Sequence, residues 1–494
     1  MLAIIVGTTV VMFIALIHRW KRSSKHKMPP GPRAWPIIGH LHLFRKGQPV
    51  HRTFLSIAKR YGNIISLRLG PHPFVIVFTP ELARECFTTN DAVLASRPTI
   101  AATEIMAYKS TVLGLDPLTP MWRKVRKVCM SELLSTARIE MWKQIRVEEM
   151  SGMVRFVLES TQRGKTIPFR RMLLDASLNV LLRMTIGRRY FGVESKDAEE
   201  KNEFQDLIDN FIRLVGVFNV GDYFSWLKWM DIQGYEREMR KAHERMDAFL
   251  QRLLDEHRQR KGQVENPDFI DLLISNFDQD NDLIKATALS MIVAGSDTTS
   301  ITSEWAMASV IKHPNVMKKA QEELDTHVGR DRVLHESDLP NLKYLYAVVK
   351  ETLRLYPPAP LLVPRLSLEA CKLGGYSLPA GTRVAVNAWA IHRDPALWER
   401  PLEFEPERFL SMSIDVRGQD YELLPFGSGR RSCPGAQLAL RVVQLTLGRL
   451  LQGFHWSPPD ENPVIDMNEK FGLSLVKAIQ LEAVAKPRLP AHLY

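Results

Sequence analysis

The sequence predicts a mainly α-helical protein with a smaller β region. Two runs rich in β-branched and aromatic residues within residues 63–80, joined by a Gly-Pro-His-Pro turn at 70–73, predict a β-hairpin. From Pro80 onward helical patterns dominate, and the longest, over residues 282–312, ends at a His-Pro pair. With 494 residues, 45% of them hydrophobic, the chain can bury a large core, either as one big domain or as several average ones.

Composition excludes some classes of function. Six of the eleven excess positive charges lie in residues 1–33, which carry no acid, so the remaining chain is only mildly basic. We therefore expect no nucleic-acid partner. The four cysteines, Cys86, Cys129, Cys371 and Cys433, form no C-x-x-C pair, so neither a disulfide framework nor a zinc site is indicated.

The N-terminus has the pattern of a membrane anchor. Residues 1–17 are almost wholly apolar, a length of about 25 Å as a helix, and a basic run follows at 18–22. A cleaved signal peptide would carry its charge before the apolar run, so we predict an uncleaved anchor over 1–18, with its N-terminus lumenal and the rest of the chain cytosolic. A basic, proline-rich hinge at 19–36 and a catalytic domain at 37–494 complete the predicted organisation.

A short basic helix is predicted just after Pro120. It places Trp122 and Arg126 four residues apart, on one helical face. Trp142 and Arg146 repeat the spacing twenty residues later, so the spacing alone does not select a pair. The predicted helix start favours Trp122 and Arg126.

Three stretches are candidate walls of a binding pocket. Residues 207–226 are aromatic and irregular, and fit either ordinary core or a substrate-access lid. Residues 359–363 are apolar and follow a predicted helix end, and residues 471–473, Phe-Gly-Leu, predict a turn directed into the pocket.

The middle of the longest predicted helix is weak. Residues 294–299 read AGSDTT, and the glycine alone costs about 1 kcal/mol in a helix interior. Such a departure from helix propensity is typical of a functional site, although a helix kink without a catalytic role is the alternative. We interpret Asp297 as a proton relay, Thr298 as the holder of a water molecule, and Ala294 and Gly295 as leaving room for ligands.

The stretch FGSGRRSCPG at 426–435 presents one cysteine between turn-forming residues. A thiolate bound to iron needs hydrogen-bond donors aimed at the sulfur, and the glycine-rich backbone around Cys433 can supply them. Arg431 is placed to meet a carboxylate such as a haem propionate. For the Cys-Pro-Gly tripeptide alone, a buried structural cysteine would be the alternative.

The full pattern around Cys433 favours an iron ligand over a buried structural cysteine. Phe426, Gly429, Arg431, Cys433 and Gly435 match the signature Phe-x-x-Gly-x-Arg-x-Cys-x-Gly, so the chain resembles the cytochrome P450 superfamily of haem-thiolate monooxygenases. Nearly the whole chain shares the resemblance, most closely to plant microsomal members, the family numbered eighty-two. It implies the cytochrome P450 fold, with haem b held between the long distal helix and the cysteine loop.

The resemblance also implies roles for individual residues. Cys433 would be the axial ligand of the haem iron, with Asp297 and Thr298 as catalytic residues. The cofactor-binding residues would be Cys433, Trp122, Arg126, Arg365, Phe426, Arg431, Ala294 and Gly295.

A second group is implied to be structural. Glu351 and Arg354 stand three apart on a helix, a spacing that is weak evidence alone because Glu81 and Arg84 share it. The distance from Glu351 to Arg408 matches the family, in which that arginine bonds the glutamate. These three residues would form the haem pocket without taking part in the chemistry.

The implied function is insertion of one oxygen atom of O2 into a small lipophilic plant metabolite, a terpenoid, alkaloid or phenolic. The chain lacks a dinucleotide fingerprint, so NADPH electrons would come through NADPH–cytochrome P450 reductase, docking near Arg123, Lys124, Lys127 and Arg430. The implied location is the endoplasmic reticulum membrane, spanned once.

Alternative functions stay open. Oxidative ring closure, dealkylation or coupling would use the same oxidant as hydroxylation. Hydroperoxide rearrangement is disfavoured by the intact Asp297-Thr298 pair. A non-enzymatic haem-binding membrane protein is the alternative from a different class.

Overall fold

The predicted mainly helical architecture is confirmed in a computed structural model of the protein. The structure describes residues 27–44, 47–109, 112–192, 198–260, 266–459, 464–470, 472 and 474–494. Its helices are α1 Val50–Tyr61, α2 Pro80–Phe87, α3 Ala101–Met106, α4 Pro120–Val128, α5 Thr136–Met141, α6 Lys143–Gln162, α7 Phe169–Ile186, α8 Ala198–Val215, α9 Tyr235–Gln259, α10 Phe269–Phe277, α11 Asn281–Lys312, α12 Pro314–His327, α13 Lys343–Leu355, α14 Ala388–Ile391, α15 Arg408–Ser411 and α16 Ala436–Gly453.

The β region is small and divided among several sheets. Its strands are β1 Ile64–Leu69, β2 His72–Val77, β3 Ile167–Pro168, β4 Arg365–Leu366, β5 Cys371–Leu373, β6 Tyr376–Leu378, β7 Arg383–Val386, β8 Phe454–Ser457, β9 Glu469–Lys470, β10 Val476–Lys477 and β11 Glu482–Pro487. The predicted hairpin is β1 and β2, which pair antiparallel from Ile64 opposite Val77 to Leu69 opposite His72. Strand β7 joins β2 in parallel and β4 completes a four-stranded sheet in the order β1-β2-β7-β4.

Helix α11 runs through the core and is buried along most of its length. It begins one residue before its predicted start and ends at the predicted residue, Lys312. Its N-terminus is capped by Asp280, whose side chain accepts the N–H of Leu283, and Pro314 prevents continuation at the other end. Helices α7 and α16 both pack against it. Between the ends of α11 the one exposed residue is Ala294.

Glu351, Arg354 and Arg408 form a buried ion-pair cluster beside this core. Arg354 donates Nε and Nη2 to the two carboxylate oxygens of Glu351 at 2.7 and 2.8 Å, and Arg408 Nε donates to Glu351 Oε1 at 3.2 Å. Arg354 also donates to the carbonyls of His392 and Pro401. The cluster therefore ties α13 to the segment that leads into α15 and on toward the cysteine loop.

Part of the predicted membrane organisation falls outside the described residues. The anchor over 1–18 lies there entirely, as does the hinge before Lys27. In the portion of the chain that the structure covers, no helix combines the length and the apolar character needed to cross a bilayer.

Replacing Glu351 with alanine is expected to destabilise the protein by about 3–5 kcal/mol, because Arg354 and Arg408 would be left buried without their counter-charge. Glu322→Ala is the matched control, since Glu322 forms an exposed pair with Lys318 at 3.8 Å worth about 0.5 kcal/mol or less. Urea unfolding of both variants measures the difference. Equal losses would show that the cluster does not stabilise the fold.

Candidate functional site

A cavity of about 390 Å³ lies between α11 and the cysteine loop. Its walls are largely apolar, and Leu181, Phe211, Val215, Val293 and Leu362 contribute to them. The volume and the apolar lining with a few polar groups are typical of a small-molecule site. The cofactor-binding and catalytic residues predicted from the sequence line this cavity.

The cysteine loop is shaped by two glycines in left-handed conformations, Gly427 at φ 65° and Gly429 at φ 71°. A side chain at Gly429 would also collide with Asp91 and with the carbonyl of Phe87, so only glycine fits there. The loop closes on itself, because the N–H of Cys433 donates to the carbonyl of Phe426 at 2.9 Å. Phe426 thus holds the cysteine backbone and also contributes to the cavity wall.

Cys433 opens into the cavity while lying deep inside the protein. Burial raises the pKa of its thiol, and the N–H groups of Gly435 and Ala436 together with Arg126 act in the opposite direction. Those N–H groups stand at the start of α16, where the helix dipole favours negative charge. The surroundings therefore suit a thiolate that is stabilised further by a metal cation.

Four arginines converge on the same cavity: Arg97, Arg126, Arg365 and Arg431. Burial, followed by repulsion from Arg431 and Arg365, holds the pKa of Arg97 well below its usual range. Burial also lowers the pKa of Arg431 to about 10, against the attraction of Asp116. The same burial raises the pKa of Asp116 to about 8, so this neighbour is a weak counter-charge near neutral pH.

Several bonds of these arginines are made within the protein. Arg365 donates to Asp91 Oδ1 and to the Ser428 carbonyl, each at 2.8 Å, and Arg126 donates to the Ser432 carbonyl at 2.8 Å. Within the described residues, Arg431 Nη1 and Arg97 Nε are buried without a hydrogen-bond partner. Mutually repelling guanidinium groups with free donors fit the two propionates of a haem, so the residues present fit this cofactor.

The structure distinguishes the two tryptophan–arginine pairs that the sequence left equal in spacing. Trp122 and Arg126 line the cavity, whereas Arg146 forms a buried bidentate ion pair with Glu336 at 2.8 Å. The indole N–H of Trp122 donates to the Leu113 carbonyl at 2.9 Å. The Trp122 ring lies 4.3 Å from the Arg431 guanidinium and 5.5 Å from that of Arg126, so it supports both cations.

Asp297 and Thr298 reach the cavity from the middle of α11. The Thr298 hydroxyl donates to the Ala294 carbonyl one turn earlier at 2.7 Å, which leaves its lone pairs free to accept from water. Asp297 Oδ2 accepts the hydroxyl of Ser474 at 2.7 Å. Burial raises the pKa of Asp297, and the Ser474 bond and the charge of Arg170 partly oppose this.

Gly295 has a role that the sequence did not indicate. A side chain at this position would meet Leu181 of α7 at 3.1 Å, so the glycine allows the two helices to approach closely. Both residues line the cavity, and Ala294 is the more exposed of the two. The room predicted for ligands at both positions is thus provided mainly beside Ala294.

Sequence reasoning missed two residues of the site, Arg97 and Ser474. Arg97 precedes a short helix in a loop without a distinguishing pattern, so nothing local indicated it. Ser474 directly follows the turn predicted at residues 471–473, of which only Gly472 is described. The aromatic stretch at 207–226 was predicted to be either ordinary core or a substrate-access lid. Within it, Phe211 is buried and lines the cavity, whereas Trp226 is exposed.

The comparisons with known proteins agree with this geometry. The family model for cytochrome P450 matches residues 29–482. Over its whole length the chain is 43% identical to xanthotoxin 5-hydroxylase CYP82C4 of Arabidopsis thaliana, 99% of which is covered. It is 40% identical to flavonoid-6-hydroxylase of Ocimum basilicum, over 98% of this chain and 97% of that one. A solved zebra fish cytochrome P450 with progesterone aligns at 27% identity and a TM-score of 0.78, over 89% of this chain and all of that one.

The resemblance to the plant family numbered eighty-two is confirmed by CYP82C4. The fold resemblance is confirmed by the zebra fish structure, and haem b is the cofactor of the matched family. Together the cysteine loop, the weakened helix and the full-length match lead to one assignment. The chain belongs to the cytochrome P450 family of haem-thiolate monooxygenases.

Proposed function

We propose that this cytochrome P450 hydroxylates a small lipophilic specialised metabolite, with NADPH–cytochrome P450 reductase as its electron donor. The observation that carries the proposal is a largely apolar cavity lined both by Cys433 and by the Asp297-Thr298 pair. In the reaction, one oxygen atom of O2 enters the substrate, and the other leaves as water with two electrons from NADPH and two protons. The chain's own residues must therefore bind the substrate, limit water and meter protons.

Haem b would be held by Cys433 at the iron and by the arginine cluster at the propionates. When bound, it supplies the activation of O2, which protein side chains alone do not provide. Arg97 and Arg431 each retain a buried donor for a propionate oxygen. The Trp122 ring stacks on the Arg431 guanidinium, while Arg126 and Arg365 are held beside it by bonds to the carbonyls of Ser432 and Ser428.

Asp297 and Thr298 would conduct protons toward the cavity. The Thr298 hydroxyl, directed to the Ala294 carbonyl, can accept a hydrogen bond from an ordered water. Burial raises the pKa of Asp297 and so brings its carboxyl nearer to the range in which it exchanges protons at neutral pH. The pair thus joins a proton-exchanging group to a water site.

The substrate proposal rests on the apolar wall and on the relatives. Ser290, Thr302 and Ser474 are among the few polar side chains in the cavity, and the Ser290 hydroxyl already donates to the Ala286 carbonyl. A rigid and mostly apolar molecule suits such a wall. Because the two similar plant enzymes hydroxylate xanthotoxin and a flavonoid, we propose a phenolic or related aromatic metabolite as the substrate class.

A membrane location is proposed from the exposed apolar side chains. Trp35, Ile37, Trp226 and Trp229 are each more than half exposed. Gly70 lies between the segment of Trp35 and Ile37 and the segment of Trp226 and Trp229. Its N–H donates to the Ile38 carbonyl, and it packs against Tyr223. Such a patch suits the interface of the endoplasmic reticulum membrane, with residues 1–18 as the single anchor and the domain in the cytosol.

The direct test is to express the full chain in membranes with a plant reductase. A substrate should shift the haem Soret band and give an NADPH-dependent product with one added oxygen. Phenolic metabolites are screened first, then terpenoids and alkaloids. Soret shifts without any product under reducing conditions would contradict the monooxygenase proposal.

Arg431→Leu is expected to release haem roughly tenfold faster or more, because a charge-assisted hydrogen bond to a propionate is lost. Transfer of haem to apomyoglobin measures the rate. Arg449→Leu is the matched control, since burial lowers the pKa of Arg449 to about 10 but this arginine is not part of the cavity wall. Equal rates in the two variants would contradict the assignment of the propionate site.

Thr298→Ala is expected to keep haem and substrate binding but to divert electrons into hydrogen peroxide. Product per NADPH should fall by about three- to tenfold, since a positioned proton donor contributes at least that much. Thr287→Ala is the control, because Thr287 lies buried on the same helix and does not line the cavity. An unchanged product yield per NADPH in Thr298→Ala would contradict the relay.

The reductase is proposed to dock on the exposed face of α4 and the adjoining loop. Arg126 ties α4 to Ser432, so Arg123, Lys127 and Arg430 stand near one surface, while Lys124 lies over the Phe277 ring. Lys127→Glu should raise the reductase concentration needed for half-maximal turnover several-fold, most strongly at low salt. Lys241→Glu on α9 is the control, and an equal effect there would contradict a localised docking surface.

A further inference from the structure

The carboxylate of Asp297 is held from outside its own helix. Asp297 Oδ2 accepts a hydrogen bond from the Ser474 hydroxyl at 2.7 Å, although the two residues are 177 positions apart. Both residues line the cavity. Neighbouring hydroxyls on α11 donate to carbonyls of the same helix, as Thr298 does to Ala294 and Thr302 does to Thr298. Asp297 differs because its side chain is bonded to another element.

The position of Ser474 is fixed by hydrogen bonds of the next residue, Leu475, whose backbone N–H and carbonyl are both bonded. The N–H of Leu475 donates to the Pro358 carbonyl at 2.9 Å, and the Leu475 carbonyl accepts the indole N–H of Trp305, also at 2.9 Å. Trp305 belongs to α11, two turns after Asp297. The serine is therefore fixed relative to the helix that carries its partner.

A second set of bonds fastens the following residues to α11. The carboxylate of Glu304 accepts the N–H of Leu481 at 2.9 Å and the guanidinium of Arg170 at 3.0 Å. Arg170 also donates to the Lys477 carbonyl at 2.9 Å. Because these groups are tied to each other, the segment from Ser474 to Leu481 cannot slide along α11 without breaking several buried bonds.

The charges near Asp297 are few. Arg170 of α7 acts on the carboxylate from a distance and is itself paired with Glu304. Ser474 supplies the direct hydrogen bond. Burial raises the pKa of Asp297, and loss of the serine hydroxyl would remove a group that stabilises the ionised form.

We propose that Ser474 is a positioning residue for the proton relay, holding the Asp297 carboxylate in one orientation and in a form able to accept a proton. This inference rests on the proposed monooxygenase function. Ser474 also faces the substrate space, so the molecule that fills the cavity lies directly beside the support of the relay. A substrate that contacts Ser474 would therefore also contact the group that supports the relay.

The first test measures the carboxyl group itself in the full-length haem protein. The C=O stretch of the protonated Asp297 carboxyl is followed by infrared spectroscopy as the pH is varied. The band is assigned to Asp297 because it is lost in Asp297→Asn. Ser474→Ala should move the titration midpoint upward, Ser474→Thr should restore it, and Ser303→Ala should leave it unchanged, because the Ser303 hydroxyl donates within α11 to Thr299. A wild-type midpoint in Ser474→Ala would overturn the proposal.

The second test measures product per NADPH across pH. In Ser474→Ala the yield should fall by about three- to tenfold, with the loss greatest at pH values between the wild-type and variant titration midpoints, where the variant carboxyl is protonated and the wild-type carboxyl is still ionised. A purely structural role would lower the melting temperature and leave the pH profile unchanged, which would contradict positioning. The infrared titration needs neither reductase nor substrate, so absence of turnover in the wild type would contradict the proposed function without affecting that result.

Discussion

Four guanidinium groups are removed from water around one cavity, and much of the protein serves to hold them there. Arg97, Arg126, Arg365 and Arg431 come from four separate segments, and Arg97 is repelled by two of the others. Asp91 pairs with Arg365. Asp116 is the acidic neighbour of Arg431, but burial raises the pKa of its carboxyl and so weakens it as a counter-charge. An anion placed among these groups would stabilise the cluster. Binding of an anionic cofactor would therefore also stabilise the folding of these four segments.

Helix α11 carries polar side chains through an apolar core, and these side chains need hydrogen-bond partners there. Most of its hydroxyls donate to carbonyls one turn earlier, as Thr298 does to Ala294 and Ser303 does to Thr299. These bonds cost little because no outside partner is required. The carboxylate of Asp297 has no such solution within the helix, since a carboxylate only accepts hydrogen bonds. It therefore depends on a donor from another element.

The sequence predicted the features that depend on neighbours in the chain. The bounds of α11 and the β1–β2 hairpin follow from local propensity and periodicity, whereas the pairing of Glu351 with Arg354 was selected by the family resemblance. Arg97 and Ser474 were missed because their partners are brought to them only by the tertiary fold. The helix packing at Gly295 was missed for a related reason, since a glycine in a sequence does not show which neighbour its missing side chain would have met.

The two sides of the cavity are held in different ways. Cys433 is fixed by groups within ten residues, the Phe426 carbonyl and the N–H groups of Gly435 and Ala436. That geometry does not change when the substrate wall changes. Asp297 is bonded to a residue of the wall itself, so under the proposed relay an altered wall would affect proton delivery before it affects the thiolate. Divergence in substrate choice should therefore be accompanied by compensating changes around residue 474, while the cysteine loop stays as it is.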